Sequence, residues 1–166
     1  MKIIFLDIDG VMATGKDYGV GNDNKWNAYR FDQKCVAVLN FILLETGAEI
    51  ILSSDWRSHY TLQEMREIFA HNGVVRGPMG YTPSSKSYKG DNLEGGREEE
   101  IRDWLNHHAW KPEEIKWVAV DDINLAQDYQ YGNTILKGLK NFVRCPRSME
   151  GIKQTGIAEK IINFLK

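Results

Sequence analysis

The sequence predicts an α/β fold, a mostly parallel central sheet with helices on both faces, and three observations carry that prediction. Short apolar runs, Ile3–Leu6, Ala48–Leu52 and Trp117–Val120, alternate along the chain with amphipathic stretches of helical period. Each run ends in residues able to do chemistry: Asp7 and Asp9, Ser53 and Ser54, Asp121 and Asp122. Open parallel sheets bind ligands outside the carboxyl ends of their strands, so neighbouring strands would bring these three ends to one crevice.

At the first strand end, Asp7 and Asp9 are two apart and point to the same side of an extended chain, and Gly10 lets the backbone swerve away. The same residues also fit a plain Asp-Gly turn; the second aspartate and the later strand ends lift them above it. Residues 12–30 exceed an ordinary connection and are expected to form a flap. Its aromatics, Tyr18, Trp26 and Tyr29, either stack on a base or sugar or staple the flap to the body. A helix is expected from its N-cap Asp32, with Val36, Leu39, Asn40, Leu43 and Leu44 on a mostly apolar face, until Gly47. The second strand follows and stops at Ser53-Ser54-Asp55-Trp56-Arg57.

Thr61 and Glu64 match a capping box that opens a helix carrying Leu62, Met65, Ile68 and Phe69, and Asn72-Gly73 stops it. Val74 and Val75 are expected to form a short strand. Residues 77–96 form a long loop, either a substrate loop or packed irregular surface. Arg97 is expected to open a helix with Ile101, Trp104 and Leu105 inward, and Pro112 to Ile115 a helical turn. After the third strand come a short helix from Asn124 to Tyr129, a strand from Asn141 to Arg144, and a last helix from Thr155 to Leu165. Ile157, Ile161, Phe164 and Leu165 of that helix are expected to face inward.

The 166 residues suffice for a single domain, 1–166, with a proper core. A net charge of −2 gives no global field for nucleic acid, so such a partner needs a local patch, for which Arg76, Lys86 and Lys89 supply a thin one. The apolar run at Ile3–Leu6 is too short for a signal peptide and Phe41–Leu44 is far short of a membrane span. Cys35 and Cys145 have no CxxC or Cys/His neighbourhood and read as reduced core thiols. A cytoplasmic protein with no membrane contact and no obligate protein partner is expected. His59, His71, His107 and His108 lack ligand spacing, and no glycine-rich nucleotide loop is present.

Four signatures in order now carry a resemblance: DIDGV at Asp7–Val11, IILSS at Ile50–Ser54, a basic residue at Arg97, and VAVDD at Val118–Asp122. The chain resembles the haloacid dehalogenase superfamily of phosphotransferases. In FLDIDGV, ILSSDWR, the helix from Arg97 to Leu105 and WVAVDD it is similar to the small capless members grouped with RNA-repair fusion proteins. The resemblance implies a Rossmann-like three-layer sandwich without a large cap domain, and a phosphatase that works through an aspartyl-phosphate. By resemblance, Asp7 is the nucleophile and Asp9 the acid and base. Mg²⁺ is held by Asp7, the main-chain carbonyl of Asp9, and Asp121 and Asp122, with Asp122 in direct contact and Asp121 behind it. Ser53, with Ser54 in reserve, binds the phosphoryl oxygens, and Arg97 neutralises their charge.

Arg97 stands where the family most often has lysine; arginine still suits phosphate. The other reading of Arg97 is a solvent-facing residue paired with Glu100. Asp55 and Arg57 either touch substrate or serve capping and surface pairing. The expected substrate is a phosphorylated nucleic-acid end. The alternatives are a small-molecule phosphatase such as a nucleotidase and a non-catalytic module that binds phosphorylated partners.

Overall fold

The computed structural model describes residues 1–15, 31–84, 93–108, 114–131 and 133–166. In chain order these form β1 (Lys2–Leu6), α1 (Gln33–Thr46), β2 (Glu49–Leu52), α2 (Leu62–His71), β3 (Gly80–Tyr81), α3 (Leu93–His108), β4 (Lys116–Asp121), β5 (Tyr129–Tyr131), β6 (Thr134–Leu136), β7 (Phe142–Arg144) and α4 (Ile157–Leu165). Five strands make one sheet in the order β3-β2-β1-β4-β7, and all four pairings are parallel. Among the described residues no large cap domain stands over this sheet, and no helix is long and apolar enough to cross a membrane.

The strands read as continuous apolar runs because both sheet faces are covered. Ile4, Leu6, Ile50, Leu52, Val118 and Val120 pack toward α1, α2 and α4. Ile3, Phe5, Ile51 and Ala119, one residue out of phase, pack toward Ile101 and Trp104 of α3 and toward Leu125 and Leu139. Phe5 meets the rings of Trp104 and Trp117 edge-on, with centroids 5.3 and 5.8 Å away.

Register positions the site. Leu6 lies opposite both Leu52 and Val120, so Asp7, Ser53 and Asp121 leave the sheet at one level. The ladder runs one step further, with Asp7 N–H donating to Val120 O and Ser53 N–H to Leu6 O.

Local signals formed as expected at the caps. Asp32 accepts from the N–H groups of Lys34 and Cys35, Gly47 closes α1 in the left-handed region, and the Thr61–Glu64 capping box is complete on both sides.

Several expectations are corrected. Val74 and Val75 are not a strand: the Val75 N–H donates to Asn40 Oδ1 of α1, and the chain pairs with β2 only at Gly80–Tyr81, inside the expected long loop. Helix α3 begins at Leu93, so Arg97 sits within it and does not open it. No helix spans 124–129. Asp121 Oδ1 accepts from Ile123 N–H and Asn124 Oδ1 from Ala126 N–H, which diverts the backbone into turns before an antiparallel β5–β6 hairpin.

Helix α4 starts at Ile157, after a 3₁₀ turn over Gly151–Lys153. Leu44 and Phe164 are exposed; Leu44 is five residues beyond Leu39 and so about 140° round the helix from it. Met12, Ala13 and Thr14 are buried in a tight turn, where Met12 and Ala13 N–H both donate to Ile8 O, and do not belong to a flap. The remainder of that flap and the expected turn around Pro112 lie outside the described residues in large part, as does the loop at 85–92.

Candidate active site

The site forms where β1, β2 and β4 end and α3 leans over them. Arg97, 7% exposed, reaches from α3 between two carboxylates, with Nη1 3.0 Å from Asp7 Oδ1 and 2.8 Å from Asp121 Oδ2. Its Nη2 lies 3.5 Å from Asp55 Oδ1. The solvent-facing reading of Arg97 is therefore overturned, and Glu100 pairs instead with Arg57 at 2.6 Å. Asp122 completes a cluster: Asp7, Asp121 and Asp122 offer carboxylate oxygens that all lie within 4.8 Å of one another. Gly10 makes room for it. At φ +71°, a Cβ on Gly10 would stand 2.3 Å from Asp122 Oδ2, so only a residue without a side chain lets the β1 turn pass so close.

The cluster is electrostatically crowded. Burial, then the neighbouring Asp121, raises Asp7 well above the ordinary carboxylate range, against the pull of Arg97. Burial pushes Asp121 up to about 6 in spite of Arg97. Desolvation works against the Arg97 charge, but Asp7 and Asp121 more than reverse it and hold the guanidinium protonated.

Asp9 stands apart. Half-buried, it is raised by desolvation, while a hydrogen bond from Trp56 Nε1 to its Oδ1 at 3.0 Å works the other way. Its side chain therefore turns toward the indole and does not join the three clustered carboxylates.

The family model described as the HAD domain in Swiss Army Knife RNA repair proteins matches residues 3–154. The chain belongs to that family. No curated protein and no solved structure matches it. The match takes in the five-stranded sheet of this HAD domain, all but Lys2 at the start of β1, and the site residues from Asp7 to Asp122. The family is one of phosphatase-type hydrolases, whose HAD domains typically use Mg²⁺.

The donor set of this HAD domain fits such an ion. Hard divalent cations take oxygen ligands, and the cluster offers three carboxylates, two of them strained toward protonation by burial. Among the described residues, Arg97 supplies the fixed positive charge against Asp7 and Asp121.

Ser53 and Ser54 are both buried, and each Oγ lacks a hydrogen-bond partner. The Ser54 hydroxyl is near enough to Asp7 to favour its ionised form, yet falls short of hydrogen-bond geometry. Buried hydroxyls left unpaired cost roughly 1–3 kcal/mol each, a cost a phosphoryl oxygen in the crevice would remove.

Of the expected basic patch, the structure describes Arg76, which does not join the site. Arg76 lies at the opposite end of the sheet, donating to Gly47 O, Ala48 O and Glu49 Oε1 at the start of β2. Lys86, Lys89, Tyr18, Trp26 and Tyr29 lie outside the described residues. His107 and His108 sit at the end of α3, each with Nδ1 at a carbonyl one turn back, far along the helix from Arg97.

Sequence reasoning passed over one contributor, Trp56, and left Arg57 between touching substrate and surface pairing. Trp56 touches Asp9, and Arg57 bonds both Thr82 Oγ1 and Glu100 Oε1 at 2.6 Å, tying the 3₁₀ turn Asp55–Ser58 to the strand edge and to α3. The available signal was an indole N–H and a guanidinium one residue beyond the two serines, in a turn too short to bury them by itself.

Proposed function

We propose that this HAD domain is a Mg²⁺-dependent phosphatase that works through an aspartyl-phosphate on Asp7 and acts on phosphorylated nucleic-acid ends in the cytoplasm. One observation carries the catalytic part: Asp7 is buried beside Arg97, Asp121 and Asp122, at a strand end level with Ser53 and next to Ser54, whose buried hydroxyls have no partner among the described residues. A nucleophile, a charge-neutralising group and donors for phosphoryl oxygens are thus within reach of one reacting atom.

Asp7 attacks phosphorus in its ionised form, which Arg97 favours. Ser53 and Ser54 donate hydrogen bonds to the phosphoryl oxygens, and Arg97 balances their charge. Asp9 gives a proton to the leaving oxygen and then takes one from the water that hydrolyses the acyl phosphate. Asp7, Asp122 and the main-chain carbonyl of Asp9 would hold Mg²⁺, with Asp121 behind them, and the ion would supply charge neutralisation for the attacking carboxylate. Asp122, next to the close-packed Gly10, would be the direct ligand, while Asp121 is held by Arg97 and the Ile123 N–H.

The substrate class rests on two supports. The family's description places related domains in RNA repair proteins, and no large cap encloses the crevice among the described residues. Two buried free thiols suit a reducing compartment.

A substrate panel tests the reading, comparing 3′- and 5′-phosphorylated oligonucleotides, mononucleotides and sugar phosphates with Mg²⁺ or with chelator. Phosphate release should require Mg²⁺, with kcat/KM for an oligonucleotide end at least about tenfold above that for the mononucleotide. Preference for mononucleotides would make the protein a nucleotidase, and no turnover with any divalent ion would leave a phosphate-binding module.

A further inference from the structure

We infer that Trp56 is a positioning residue for Asp9, one that holds Oδ1 and so orients the carboxyl whose other oxygen serves the leaving group. This rests on the phosphatase reading, in which Asp9 is the acid and base. The indole Nε1 is a donor with no acceptor capacity, so the oxygen it meets must accept whether Asp9 is ionised or protonated. That oxygen is Oδ1, 3.0 Å away. The carbonyl oxygen of a carboxylic acid accepts better than its hydroxyl oxygen, so when Asp9 is protonated this contact favours the proton on Oδ2.

The indole is held in place from several sides. Its ring lies 6.1 Å from Phe31 and 5.9 Å from Tyr60, tilted 52° against each. Phe31 is fixed in turn by an edge-on contact with Phe69 at 5.1 Å and by its N–H donating to Asn72 Oδ1. Tyr60 N–H donates to Trp56 O, and Tyr60 O accepts from Tyr81 Oη. On the backbone, both neighbours of Trp56 are anchored: Asp55 to Arg97, and Arg57 to Thr82 and Glu100. The turn after β2 thus couples Asp9, Arg97 and α3, and the direction of the Nε1–H is set by packing before any substrate arrives.

The consequence lies in the first chemical step. An Asp7 oxygen bonds to phosphorus, the bond from phosphorus to the leaving oxygen breaks, and the Oδ2 proton of Asp9 passes to that oxygen. In the second step water attacks phosphorus and gives its proton to Asp9, and the bond to Asp7 breaks as phosphate leaves. Without the indole donor the carboxyl can turn its proton away from the leaving oxygen. Leaving groups that need the proton then suffer more than those that depart as stable anions.

W56F and replacement of Trp56 by 3-benzothienylalanine test this, the second preserving the shape of the ring and removing only its N–H. Wild type and variants are assayed on p-nitrophenyl phosphate, whose leaving group needs little protonation, and on an alkyl phosphate, whose leaving group needs it. The ratio of kcat/KM for the aryl over the alkyl ester should rise about 10- to 100-fold in both variants. Equal losses on both esters would mark Trp56 as merely structural, and no loss on either would show that Asp9 orients itself; each overturns the inference. Should W56F fail to fold, the isosteric variant decides. A wild type inert toward both esters overturns the phosphatase reading and the inference with it, whereas an active wild type with unselective variants overturns the inference alone.

Discussion

Asp7 and Asp9 leave the same strand two residues apart, yet their surroundings diverge, and Asp121 and Asp122 repeat the division. The inner pair, Asp7 and Asp121, is 3% and 1% exposed and shares the Arg97 guanidinium. The outer pair is half-buried; Asp9 meets an indole, and Asp122 packs against the glycine that follows Asp9. Four identical side chains thus hold different positions, and on the proposed reading different roles, because one cation and one neutral donor were placed beside different members. What a carboxylate does at such a strand end is decided by its neighbours more than by its own chemistry.

The sharpest test removes charge from the inner pair. Asp7→Asn should abolish turnover of an aryl phosphate in a steady-state assay while the variant melts as a folded protein. Substantial residual activity would place the nucleophile elsewhere.

The corresponding change in the outer pair should be milder. Asp9→Asn should slow turnover by about two to four orders of magnitude, the range for losing acid and base help, because Asp7 and Arg97 remain in place. Equal losses at Asp7 and Asp9 would erase the distinction between inner and outer acids.

The smallest effect is on stability. Asp7 and Asp121 are raised in the folded state, Asp121 to about 6, so without metal the fold retains protons that the unfolded chain releases near pH 4. The Asp121 contribution is fully present below about pH 4 and is lost as pH rises through about 6, and that of Asp7 is lost in the same direction as pH rises through its own raised value. On the proposed reading Mg²⁺ would displace those protons, so the rise in Tm on adding Mg²⁺ over chelator should grow from pH 5 to pH 7.5. A gain that stays flat across that interval would show that the cluster does not take the ion.

Much of this arrangement was legible along the chain. The apolar runs of β1, β2 and β4 and the acids and serines at their ends could be read directly, since a strand buried on both faces needs no alternation to be recognised. The caps at Asp32, Gly47 and Thr61 are contacts within a few residues, so local sequence suffices for them. Strand β3 escaped notice because two residues at a sheet edge carry no pattern of their own, and the β5–β6 hairpin because three-residue strands resemble a turn of helix.

The depth of Arg97, the misplaced Arg76 and the bond from Trp56 to Asp9 belong to another class. Forty-seven residues separate Trp56 from Asp9, and 24 separate Arg97 from Asp121. Residue type and spacing along the sequence determined which groups stand at the strand ends. The tertiary structure alone decided which carboxylates share a cation and which one faces an indole, because burial and pairing arise only when separate elements are packed together.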